Sequence, residues 1–277
     1  MNKLLRVLLT LLFPLLTFVN AANAVNQVNK TSTFQKIQST KQLKVCAESG
    51  YLPLEMKTAS GKWLGFDVDM MEAYAQSIGA KLVMLDTKWD GIIPSLASGK
   101  CDAIASSMAV TKERENVVSF SNPYYENKFL IAIKNSPNNI KKFTSLSDFN
   151  NSNVTIAVKT GSSPDLFIQN SKMFSEAKIL KFDADADTVS AVLNGRADAF
   201  IYDTPYVKLA ALHYPGKLYI APQSFNGDYF AVAFRKQDNA LLENFNVFLS
   251  NWKQQNNYIK TMNYYFEDTQ WTALLNK

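Results

Sequence analysis

Apolar positions along the chain repeat in two rhythms. Leu43-Lys44-Val45-Cys46-Ala47 reads as a buried strand that ends at Glu48-Ser49-Gly50. Val68, Met71, Ala75 and Ile78 then follow helical spacing, with Asp67 placed to cap the helix and Gly79 to end it, and Leu82 to Leu85 predicts the next strand. Asp90 is placed to cap a second helix from Ile92 to Ser98, with Pro94 in its first turn and Gly99 closing it, and Cys101 to Ser106 predicts a third strand. The rhythm then recurs as a strand from Val154 to Val158, a helix opened by Ser163-Pro164, a strand from Ile179 to Phe182, a helix from Thr188 to Asn194 and a strand from Ala197 to Tyr202. Such alternation predicts an α/β fold with two similar lobes, each a mostly parallel sheet flanked by helices. One corner even repeats: Ser98-Gly99-Lys100-Cys101-Asp102-Ala103-Ile104 resembles Asn194-Gly195-Arg196-Ala197-Asp198-Ala199-Phe200, although turn chemistry alone can produce such a match.

Ahead of the first strand the pattern is different. Val25 to Ser39 is polar, so the folded part is expected to start near Lys41, with the preceding segment frayed. Lys3 and Arg6 precede an apolar run from Val7 to Val19, and Ala22-Asn23-Ala24 supplies small residues at the spacing a signal peptidase accepts. Residues 1–24 therefore read as a secretory signal cleaved near Ala24. A run this short with a proline inside would not span the ~30 Å of bilayer hydrocarbon. No cysteine follows it to carry a lipid, and a soluble protein of a Gram-negative periplasm is the expected product.

Composition narrows the chemistry. With 47% hydrophobic and 19% charged residues, the 277-residue chain can build a core and is neither disordered nor collagen-like. Loss of Lys3 and Arg6 with the leader lowers the formal charge from +5 to +3, too small and scattered an excess to argue for nucleic acid. A single histidine, His213, and two cysteines, Cys46 and Cys101, cannot build a His/Cys metal site of the usual spacing and disfavour most hydrolase mechanisms. The Gly-Ser-Ser turn at Gly161 lacks the lysine of a P-loop, so neither a nucleotide nor any other cofactor is implied. If their strands are parallel neighbours, Cys46 and Cys101 sit about three residues out of level, roughly 10 Å at 3.3 Å per residue. That is beyond the span of a disulfide, and two buried thiols are expected.

In open parallel sheets ligands bind beyond the carboxyl ends of the strands, where loops and helix N-termini hold free donors. Four segments qualify: Glu48 to Tyr51, Ser106 to Arg114, Thr160 to Ser163, and Asp203-Thr204. They bring a guanidinium (Arg114), hydroxyls (Ser106, Ser107, Thr111, Ser162, Ser163) and carboxylates (Glu48, Asp203), a set that suits the zwitterion of an amino acid.

The stretches V-C-A-E-S-G-Y-L-P-L-E (45–55), W-L-G-F-D-V-D-M (63–70), W-D-G-I-I-P-S-L (89–96), C-D-A-I-A-S-S-M-A-V-T-K-E-R (101–114), F-S-N-P-Y-Y-E-N (120–127), V-K-T-G-S-S (158–163) and G-R-A-D-A-F-I-Y-D (195–203) follow in order. In that order the chain resembles the periplasmic solute-binding proteins of polar and basic amino acid ABC importers, from Leu43 to about Trp271. The resemblance implies a two-lobed periplasmic-binding-protein fold of type II, with residues 41–130 and 230–277 in lobe one and 131–229 in lobe two. The chain would cross near Lys128 to Lys134 and return near Asp228 to Phe234. It also implies that Arg114 clamps the ligand carboxylate, helped by backbone N–H groups near Ala109 and Ser162, and that Asp203 takes the α-ammonium. Tyr51 and Trp89 would wall the side-chain pocket, and Glu48 would meet a cationic or amide side chain, arginine first. Ala109 departs from the serine or threonine common there. The implied partners are an amino acid and an inner-membrane permease, with the protein itself a monomer. An enzyme on the same scaffold, such as a cyclohexadienyl dehydratase, is the alternative, with Glu48 or Asp203 as the acid.

Outside that resemblance, Arg114 could be a solvated arginine, Asp203 part of a helix cap, Tyr51 and Trp89 interface aromatics, and Glu48 a surface carboxylate. Lys159 either projects into the pocket, where it would repel a cationic ligand, or faces solvent.

Overall fold

The structure, a computed structural model, describes residues 32–268 and 270–275, so the signal-peptide reading of residues 1–24 lies outside the described residues. Thr33–Thr40 forms helix α1, Gln42–Ala47 strand β1, and Met56–Lys57 and Trp63–Leu64 a short hairpin, β2 and β3. Phe66–Ser77 is α2, Lys81–Asp86 β4, Trp89–Ala97 α3, Ala103–Ile104 β5, Lys112–Glu115 α4 and Val118–Phe120 β6. The second half builds Tyr125–Lys134 (β7), Pro137–Lys142 (α5), Thr155–Lys159 (β8), Ser163–Asn170 (α6) and Lys178–Phe182 (β9). Asp185–Leu193 (α7), Ala199–Asp203 (β10), Thr204–His213 (α8) and Leu218–Phe230 (β11) follow, before Ala233–Arg235 (β12) and the long helix Asn239–Gln254 (α9).

Two five-stranded sheets result, ordered β4-β1-β5-β12-β6 and β11-β7-β10-β8-β9. In each, three consecutive strands of the alternating pattern pair in parallel, and the strands that return from the other half join antiparallel. The chain leaves the first sheet after Phe120, enters the second at Tyr125, and comes back between Phe230 and Ala233. All of Tyr125–Lys134 therefore belongs to the second sheet, with β7 and β11 side by side at the crossing, where Tyr125 pairs with Phe230.

Burial explains both lobes. Leu43 and Val45 of β1 pack with Met70, Met71 and Tyr74 of α2 and with Phe245, Leu249 and Trp252 of α9. Ile131 and Ile133 of β7, Ile156 and Val158 of β8 and Ile201 of β10 form the second core with Phe149 and Phe174. The repeated corner is the same physical device in each lobe. After a glycine at positive φ (Gly99 at 77°, Gly195 at 73°), Asp102 N–H donates to Lys44 O at 2.7 Å and Asp198 N–H to Thr155 O at 2.8 Å. In return, Lys44 N–H donates to Asp102 Oδ2 at 3.0 Å and Thr155 N–H to Asp198 Oδ2 at 2.9 Å. Each aspartate clips the third strand onto the first at the end away from the ligand side.

Several expectations are corrected. Thr33–Thr40 is a helix and not a frayed tail, because Ile37 buries in the first core and Thr33 Oγ1 donates to Asp238 Oδ1. Asp67 and Asp90 cap nothing: the N-cap positions are Gly65 and Lys88, and both aspartates stand in the first turn. The helix expected at Thr188 begins at Asp185. Cys46 and Cys101 are joined in a disulfide, with Cα atoms 5.7 Å apart. The extrapolated gap fails because Cys101 is not a strand residue; β5 starts only at Ala103, and the chain before it bends at Gly99 so that Cys101 packs with Cys46, Ile92 and Leu96 in one apolar cluster.

Candidate ligand-binding site

Ten side chains expected at the site, Glu48, Tyr51, Trp89, Ser106, Ser107, Ala109, Arg114, Ser162, Ser163 and Asp203, line a single cavity, joined by Glu55, Lys159 and Tyr202. It is narrow, pinched between residues of the two lobes.

At one end, Thr111 caps α4 by accepting from Arg114 N–H, which fixes the root of the arginine. Arg114 is 6% exposed, and its guanidinium lies 5.1 Å from the centroid of the Trp89 ring and donates to Ala109 O at 2.8 Å and Gly161 O at 2.9 Å. Trp89 Nε1 donates to the same Gly161 carbonyl at 3.1 Å, so a residue of the second lobe takes two donors from the first. Gly161 has φ of 68°, a left-handed conformation in which glycine carries no penalty. Ser162 caps α6 by accepting from Asp165 N–H, and its own N–H donates to Lys159 O at 3.2 Å.

Across the cleft, Asp203 at the end of β10 accepts from Tyr51 OH at 2.7 Å and from Asn127 Nδ2. The same Asn127 amide donates to Asp228 Oδ1 at 3.0 Å. Burial and then the neighbouring Asp228 push the Asp203 carboxyl up to about 8. A buried acid of this kind is ready to ionise when a cation arrives.

The far end holds the charges. Glu48 Oε1 accepts from Trp89 N–H at 3.2 Å and so caps α3, a role that the sequence pattern assigned to Asp90. Its other oxygen pairs with Lys159 Nζ, which also reaches Asp185 Oδ2 at 3.2 Å, while Tyr202 OH donates to Asp185 Oδ1. Lys159 is thus an inward residue, 3% exposed, with its ammonium 5.4 Å from the Trp89 centroid. Burial works against that charge, but Asp185 and Glu48 outweigh it and raise the lysine pKa.

Sequence reasoning gave Glu55 no role. It sits inside a motif already singled out, but a carboxylate between Leu54 and Met56 gives no sign that it turns inward. Its two oxygens face Ser106 Oγ at 2.9 Å and Ser107 Oγ at 3.1 Å. Tyr202 follows from strand alternation only once the direction of β10 is known. Among the described residues no group of His, Cys, Asp and Glu is arranged to hold a metal ion.

Comparison with known proteins identifies the family. The family of bacterial extracellular solute-binding proteins, family 3, matches residues 43–268. The chain is similar to ABC transporter arginine-binding protein 1 of Escherichia coli K12, 31% identical over 78% of this chain and 87% of that protein. It is also similar to the cyclohexadienyl dehydratase of Pseudomonas aeruginosa, 27% identical over 69% of this chain and 70% of the enzyme. Among solved structures, a binding component of an ABC transporter from Wolinella succinogenes complexed with lysine superimposes with a TM-score of 0.79 at 33% identity, covering 84% of this chain and 99% of that one.

Proposed function

We propose that this chain, which belongs to the bacterial extracellular solute-binding proteins of family 3, is the substrate-binding component of an ABC importer and holds a polar or basic amino acid, arginine first, between its lobes. The observation that carries the reading is the pairing of Arg114 and Asp203 on opposite sides of one buried cavity. Arg114 clamps the α-carboxylate and Asp203 takes the α-ammonium, each charged hydrogen bond contributing about 1.5 to 3 kcal/mol. Tyr51 and Trp89 flank the ligand side chain. At the far end Glu48 and Asp185 surround one ammonium, Lys159, an acidic surplus that favours a cationic ligand side chain.

Lys159 favours a second reading. Its ammonium can donate to the carbonyl oxygen of a glutamine side chain while Glu48 accepts from the amide nitrogen. Calorimetry with arginine, glutamine and glutamate on the wild type and on Glu48→Gln separates the two. Arginine is expected to bind tightest and to lose about 2 to 5 kcal/mol in the variant, with glutamine losing less. Tight glutamate binding without a response to arginine overturns the basic-ligand reading and leaves the Arg114 and Asp203 clamp standing.

The protein works as a binding module and not as an enzyme. Glu48, one of the acids in the cavity wall, is engaged by Lys159 and by Trp89 N–H. Incubation with prephenate or arogenate is expected to yield no aromatic product. In this reading the parts of the chain on either side of segments 121–124 and 231–232 are the moving lobes, the leader is removed near Ala24 on export to the periplasm, and the monomer delivers its ligand to an inner-membrane permease.

A further inference from the structure

Glu55 is 1% exposed and lines the ligand cavity, where it is linked through Ser106 to the Glu48 end: Ser106 Oγ accepts from Glu48 N–H at 3.1 Å and donates to Glu55 Oε1. Behind it lies a second buried carboxyl, Asp67. Ser107 Oγ is 3.1 Å from Glu55 Oε2 and 3.3 Å from Asp67 Oδ2, and a hydroxyl has one proton to give. Asp67 Oδ2 also accepts from Ser107 N–H at 2.8 Å and Tyr124 OH at 2.7 Å, partners that suit an ionised carboxylate. Glu55 has hydroxyl partners alone. With both groups ionised, one of the two contacts of Ser107 Oγ would be oxygen against oxygen with no hydrogen between them. A proton on Glu55 Oε2 removes the conflict: Glu55 donates to Ser107, and Ser107 donates to Asp67.

We infer that Glu55 stands in the cavity wall as a carboxylic acid and is a specificity-determining residue, because a cationic ligand side chain displaces its proton to solvent whereas a neutral side chain leaves it in place. The inference rests on the reading of the cavity as an amino-acid site. Cation in and proton out leave the net charge of the cavity unchanged. The groups that face Glu55 are Asp67 from α2, Tyr51 ahead of β2, Tyr124 ahead of β7, Glu48 beyond β1, and Asp185 and Lys159 across the cleft on α7 and β8. Burial and then Asp67 push Glu55 well above the ordinary carboxylate range, against the opposing pull of Ser106 and Ser107, and burial lifts Asp67 to about 6.

Calorimetry at neutral pH in two buffers of different protonation enthalpy, with arginine and its uncharged isostere citrulline, reads the proton directly. Arginine is expected to release about one proton more than citrulline, since any proton that the α-ammonium drives from Asp203 is common to both ligands. In Glu55→Gln the excess should disappear. Equal release by the two ligands, or an excess that survives in Glu55→Gln, overturns the inference. Carbon NMR of wild-type protein labelled at the glutamate carboxyls needs neither ligand nor variant: one glutamate should remain protonated at neutral pH, and a spectrum in which every glutamate titrates in the ordinary range also overturns it. If no amino acid binds at all, the amino-acid reading falls, and the NMR result still decides the state of Glu55.

Discussion

Arg114 is held within its own lobe, by its stack on Trp89 and by the carbonyl oxygen of Ala109, so its direction in the cavity is set before any ligand contact. Removing it strips the fixed countercharge from every α-carboxylate. Arg114→Ala is therefore expected to weaken all ligands together by at least ~2 kcal/mol in calorimetry, and a natural ligand that keeps wild-type affinity would show the clamp to be elsewhere. Asp203 gives a test in pH. Its folded-state pKa is raised from an ordinary 3.8 to about 8, so the folded protein binds the proton more strongly than the unfolded chain, and the stability it contributes is present at low pH and lost as pH rises through that window. Asp203→Asn stays neutral throughout. The Tm of the variant minus that of the wild type should climb between about pH 4 and pH 8, and a flat difference would count against a buried protonated Asp203.

The strands and helices that carry these residues were legible where one rhythm ruled. β1, β4, β8 and β9 fall within two residues of the apolar runs that predict them, and the Ser163-Pro164 signal marks α6 with Ser162 as its cap. What failed depended on three-dimensional neighbours. Asp67 and Asp90 have the right type and spacing for caps, but Asp67 is drawn inward to Ser107 and Tyr124, and the first turn of α3 is capped by Glu48 from the loop after β1. The expected side-chain partner of Glu48 was a ligand; the inward reach of Lys159 from the other lobe, left open by the sequence, gives it a protein partner as well. The cysteines failed for a related reason, since a rise of 3.3 Å per residue holds only inside a strand. Their bridge closes a separation of 55 residues within one lobe, and chain entropy puts its contribution at about 4 kcal/mol. Urea unfolding of Cys46→Ala/Cys101→Ala should show a loss of about 2 to 4 kcal/mol, whereas an unchanged midpoint would mean that the bridge does not stabilise the lobe.

The lobes meet through contacts that a rigid rotation must break and remake: Tyr51 with Asp203, Trp89 and Arg114 with Gly161, and Glu48 with Lys159. Among the described residues two peptide segments, 121–124 and 231–232, connect the sheets, so the rotation requires few backbone changes. Small-angle scattering is expected to show a smaller radius with saturating ligand than without it. An unchanged radius alongside proven binding would count against hinge closure. The disulfide has one more implication, for how the protein is made. The chain has just two cysteines, so oxidation can join only one pair within a molecule, and no reshuffling step separates a wrong bridge from the right one. The bond needs an oxidising compartment and nothing more selective. Material produced in a reducing cytoplasm would fold to the same two lobes without this brace beneath Glu48, and its melting behaviour should not be taken as that of the exported protein.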